Sequence, residues 1–196
     1  MEEVSREEVI DSWLRRDIEE HGDKDVQVDD LNESEKVDKL MYLNEESASF
    51  MEDRSFRWYK TELPRECFLQ TYHIWEGFDV PESTVGELGK KLNCDKPEVQ
   101  EPMEDSDIDL DAIREIADNY PEKTAEYPLI VTKERSIWKI RDGNHRAMGL
   151  SLHMAQGGDY KPEKAYIGFK KNQDLFERIR DSLIRFSEFF RNRFRT

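Results

Sequence analysis

Only two cysteines, Cys67 and Cys94, occur in the 196 residues, and they show no CxxC spacing. A disulfide framework is excluded, and a reducing, cytoplasmic setting is the expectation. No apolar run approaches the roughly 20 residues that cross a bilayer, and no basic-then-apolar leader opens the chain, so no membrane span is expected. Neither GxxxxGK(S/T) nor GxGxxG is present, which leaves P-loop and dinucleotide folds without support. Positive charge is scarce as well: 30 basic residues face 45 acidic ones, for a net charge of −15. Such a chain does not coat bare nucleic acid by charge alone. Apolar residues are few, 36% against 38% charged, yet 11% aromatics are too many for a disordered chain. The expected organisation is one folded domain of about 100–150 residues with a polar appendage.

The charge is unevenly placed. Residues 1–53 hold 19 acidic and 6 basic side chains, and the last 27 residues hold 8 basic and 4 acidic ones. Between them, residues 94–108 are acidic, contain two prolines and lack apolar periodicity, which reads as a loop. Three parts follow: an acidic helical segment (1–53), a central domain (54–169) and a basic amphipathic helix (170–196). In the first, Ser5 and Glu8 have capping-box spacing ahead of the stripe Val9, Ile10, Trp13, Leu14 and Ile18. Its acids either face water behind that stripe or form an arm for a basic partner. In the last, Phe176, Ile179, Leu183, Phe186 and Phe190 would bury against the domain or pair two copies in a homodimer. The arginines beside them, from Arg178 to Arg195, would instead meet DNA or an anionic surface.

The central part alternates helix and strand signals. Phe56–Leu63 reads as a strand ending at Pro64, and Thr84 with Glu87 caps a helix carrying Leu88 and Leu92. Asp109 caps a helix with Leu110, Ile113 and Ala117 on one face. Strands follow at Tyr127–Thr132 and Ile137–Arg141, then a helix from Asn144 to Gln156 and a strand at Ala165–Phe169. The expected class is α+β, a small mixed sheet with flanking helices.

One segment of this series carries chemistry. Asp142-Gly143-Asn144-His145-Arg146 lies between a strand and the helix after it. Glycine at such a corner lets backbone N–H groups approach a ligand, and the first N–H groups of a helix form an anion site. His145 and Arg146 add side-chain donors, and Asp142 is a proton acceptor or metal partner beside a bound phosphate. The bland alternative is a hairpin signal followed by an ordinary helix cap.

Ile140 to Leu150 resembles the DG(N/H/Q)HRxxA signature of the ParB/sulfiredoxin-like superfamily. The surroundings match in kind: an ID-x-x-x-I-x-x-I-A helix at Ile108–Ala117, the Pro-Leu-Ile-Val strand, and the strand at Ala165–Phe169. The resemblance covers roughly residues 56–170. It implies a nucleotide-binding domain that hydrolyses a nucleoside triphosphate, ATP or CTP with Mg²⁺, or transfers its phosphoryl group. Gly143, Asn144, His145 and Arg146 would hold the phosphates, with Asp142, His145 and Arg146 as the catalytic set. By motif the resemblance is to the DGHHR-type branch, small kinases or nucleotide hydrolases, in which a second catalytic carboxylate comes from the region after the first strand; Glu62 and Glu66 are the nearest candidates. Asn144 stands where sulfiredoxins carry their attacking cysteine, a departure that speaks against redox-repair chemistry. Partition proteins add a helix-turn-helix domain, whereas here one basic helix follows. The alternatives from other classes are a DNA-associated partition-like or nuclease-like module and a catalytically inactive interaction protein of the same fold.

Other constellations are weak. Asp105, Asp107, Asp109 and Asp111 alternate like an EF-hand loop, but Leu110 and Ile116 occupy the glycine and glutamate positions. The four histidines and two cysteines lack zinc spacing. Trp58, Tyr59, Tyr72 and Trp75 read as core or pocket wall.

Overall fold

The computed structural model describes residues 1–21, 26–44, 48–72, 84–94, 109–120, 127–134 and 137–170. The acidic loop from 95 to 108 and the basic C-terminal helix, with its DNA and dimer readings, lie outside the described residues. Within them, five strands and six α-helices alternate: β1 (Glu2–Val4), α1 (Arg6–His21), α2 (Glu33–Leu43), β2 (Phe56–Leu63), α3 (Arg65–Leu69), α4 (Val85–Leu92), α5 (Leu110–Asp118), β3 (Leu129–Glu134), β4 (Ile137–Asp142), α6 (Asn144–Ala155) and β5 (Glu163–Lys170).

Local signals account for most of these boundaries. Ser5 Oγ accepts the Glu8 N–H at 3.0 Å to start α1. Thr84 and Glu87 form the reciprocal capping box of α4, and Asp109 accepts from Ala112 N at 2.8 Å to start α5. A second capping box, Asn32 with Glu35, starts α2.

The strands form one sheet in the order β1-β2-β5-β3-β4, in which only β3 and β5 run parallel. The class is therefore α+β with a mixed sheet. β5, last of the described strands in sequence, lies at the centre and pairs with β2 from Phe56–Lys170 to Leu63–Glu163. The outer edge of β4 is covered by Tyr72, whose N–H donates to Trp138 O and whose carbonyl accepts from Ile140 N, both at 2.8 Å.

Alternation along β3 and β5 divides the interior into two layers. Ile130 and Tyr166 face one way and join Phe56, Trp58 and the α1 stripe Val9, Ile10, Trp13, Leu14 and Ile18. Leu129, Val131, Ala165 and Ile167 face the other way, against Ala147 and Leu150 of α6 and Val85 of α4. Burial on both faces explains why β3 opens with the apolar run Leu129-Ile130-Val131 instead of an alternating pattern. The described elements of the N-terminal segment, expected as a polar appendage, pack into the fold. β1 pairs with β2, α1 covers a sheet face, and buried Lys36 of α2 joins Glu7 and Asp11 of α1 at 2.8 Å each.

Candidate functional site

The corner between β4 and α6 is shaped by one backbone conformation. Gly143 has φ 85° and ψ 28°, the left-handed region, and a Cβ there would lie 2.4 Å from Leu129 Cδ2. Glycine is therefore required on two counts, conformation and space. Gly143→Ala is expected to lower the unfolding free energy by about 2–4 kcal/mol, combining left-handed strain with overpacking. Urea denaturation checks this, and a loss under about 1 kcal/mol would show that the turn adapts.

Gly143 has no side chain with which to cap α6, so the helix begins with its first N–H groups uncapped from that residue. Asp142, at the end of β4, is buried and accepts a charged hydrogen bond from Arg16 Nη1 of α1. The same guanidinium donates to Asp17 at 2.5 Å and pairs with Glu20 at 3.4 Å. Arg146 points inward: Nη1 donates to the Tyr127 carbonyl at 2.6 Å, and Nε lies 3.6 Å from Glu163 Oε2 at the start of β5. Glu163 is buried in turn and accepts from the Tyr120 hydroxyl at 3.2 Å. Two buried ion pairs result: Arg16 with Asp142 ties α1 to β4, and Arg146 with Glu163 ties α6 to β5.

Burial shifts these groups in consistent directions. It pushes the Arg146 guanidinium down, Glu163 opposes this and Arg16 adds to it, and an arginine remains charged regardless. Burial, then the Glu163 carboxylate, pushes the Tyr120 phenol up. Burial pushes His145 down against the pull of Asp109 and Glu20, so its imidazole is neutral at pH 7.

Two buried oxygens at this corner, Asp17 Oδ2 and Asn144 Oδ1, have no hydrogen-bond partner among the described residues, while Arg16 Nε and Arg146 Nε have only their ion pairs with Glu20 and Glu163. Native interiors satisfy nearly all such atoms, so a group of them marks a place where water or a ligand belongs.

The five motif residues predicted from sequence are thus together on one turn. Glu62 and Glu66, the expected second carboxylates, are both exposed. The buried carboxylate beside Arg146 is Glu163, paired in register with Leu63 of β2. Arg16, Asp17, Glu20, Tyr120 and Glu163 were all missed. One readable signal existed: Asp17 falls seven residues after Ile10, on the apolar stripe of α1, where a carboxylate needs a partner. His153 is structural, with Nδ1 3.1 Å from the Ala117 carbonyl and its ring against Tyr120. Among the described residues no group of three or more His, Cys, Asp or Glu is placed to hold a metal ion, and no helix is long and apolar enough to cross a membrane.

Comparison with known protein families, with curated proteins and with solved structures finds no match. What fold and site define together is an α+β protein with a mixed five-stranded sheet and a buried, charged strand-to-helix corner.

Proposed function

We propose that this chain is a ParB/sulfiredoxin-like domain that binds the phosphates of a nucleoside triphosphate at the β4–α6 corner. The observation that carries the reading is the α6 N-terminus that left-handed Gly143 leaves without a side-chain cap, beside the buried guanidiniums of Arg16 and Arg146. Helix dipole and free N–H groups favour an oxyanion there, and Arg16 brings a second guanidinium within electrostatic range of Arg146. Phosphoryl transfer needs mainly positioning and charge neutralisation. In this reading Gly143, Asn144 and His145 cradle phosphate, Arg16 clamps it, and Arg146 holds the turn through Tyr127 and Glu163. Neutral His145 accepts the proton of an attacking water or hydroxyl. Mg²⁺ arriving with the nucleotide would neutralise phosphate charge, with Asp142 and Asp17 as the nearest protein carboxylates.

Isothermal titration of ATP and CTP, with and without Mg²⁺, tests binding directly. Arg16→Lys keeps the charge that Asp142 needs but loses the bidentate fork, and is expected to weaken binding about tenfold. The absence of binding to either nucleotide would overturn the proposal. A second reading has its own support: Asp142 and Arg146 already have partners within the protein, Arg16 for the first and the Tyr127 carbonyl and Glu163 for the second. It makes the corner a structural keystone in a catalytically inactive interaction protein of the same fold. The two readings part at the titration, because a keystone gives no heat.

A further inference from the structure

β1 ends where it pairs Val4 with Trp58, two residues short of the start of β2. The chain leaves the sheet at Ser5 and begins α1 at Arg6, so among the described residues no strand pairs with Phe56 and Arg57 on that edge. The gap is a groove of about 540 Å³, lined by Glu3, Phe56 and Trp58 and by three arginines, Arg6, Arg54 and Arg57. Small-molecule sites span roughly 300–1,000 Å³, so the space suits a compact ligand.

Its chemistry runs against the rest of the chain. The protein carries a net charge of −15, yet this groove presents three guanidiniums against one lining carboxylate. Glu33 stands behind, accepting from Arg6 Nη1 and, at 3.3 Å, from Arg54 Nη2, which leaves the local balance positive. Arg54 is 77% exposed and Arg57 is exposed, so both are available to a ligand. Arg6 is committed, with Nη1 on Glu33 and Nη2 on the Met51 carbonyl, so the donors open to a ligand are those of exposed Arg54 and Arg57. Donors in excess, with positive charge, call for an acceptor-rich anion.

We propose that this groove binds a small polyanion bearing two or more carboxylate or phosphate groups, with Arg54 and Arg57 as its clamps over Arg6. The inference does not depend on nucleotide binding at the other corner. The test titrates pyrophosphate and citrate into the full chain at low ionic strength, for wild type and for the double variant Arg54→Gln, Arg57→Gln. Both side chains are exposed, so the variant folds normally. The expected result is binding of one probe by wild type and a loss of at least about tenfold in the variant, as removing bidentate arginine contacts implies. Which probe binds separates a phosphate ligand from a carboxylate ligand. The Arg16→Lys protein should retain that binding in full. Equal affinity in wild type and the double variant would place the anion elsewhere and overturn the proposal, and so would no binding of either probe.

Discussion

Glu163→Ala is expected to lower the unfolding free energy by about 3–5 kcal/mol, the cost of stranding a buried charge. The carboxylate is buried, Arg146 is only 11% exposed beside it, and Tyr120 donates to it from α5's C-terminal end. Removing the carboxylate leaves the guanidinium with the Tyr127 carbonyl and no counter-charge on its inner side. An exposed ion pair would cost about 0–1 kcal/mol, so the size of the loss distinguishes a buried network from a solvated one. Removing both charges, as Arg146→Met with Glu163→Leu, is expected to recover part of the stability, since apolar replacements of buried pairs are often tolerated. Guanidinium denaturation of the two variants beside wild type reads this out, and a Glu163→Ala loss under about 1 kcal/mol would show that water reaches the pair.

Trp13→Ala is the second large effect, at about 3–5 kcal/mol for deletion of a fully buried aromatic. Trp13 is 1% exposed and stacks on Phe50, whose ring also lies against Phe56 and Trp58 of β2. If residues 1–53 were a separate appendage, the loss would appear as a private transition of the N-terminal segment. With α1 packed on the sheet, a single cooperative transition moves as a whole. Denaturation followed by near-UV absorption of the tryptophans and by far-UV circular dichroism should give coincident curves shifted together.

Much of the fold is legible in the sequence because local chemistry sets it. Thr84, Asp109 and the Pro64 stop lie where the structure uses them, and the strands at 129–134 and 137–142 follow from β-branched runs around a polar turn. β1 is not legible, since Glu2-Glu3-Val4 has no apolar pattern and becomes a strand only through β2. The same limit governs the site. Gly143 and the turn around it are local, and their spacing shows them. Arg16 meets Asp142 across 126 residues of sequence and Arg146 meets Glu163 through the sheet, so only the three-dimensional path brings those partners together. The net charge of −15 hides all of this, because the charges that matter at both candidate anion sites are few and placed by the fold.

The central place of β5 governs the order of assembly. A ribosome delivers β2, β3 and β4 well before β5, yet β2 and β3 touch through β5 alone. Until residues 163–170 emerge, the β1–β2 pair and the β3–β4 pair have no strand to join them into one sheet. The last strand threads between two waiting halves, a non-local step of the kind that slows folding and leaves apolar edges open meanwhile.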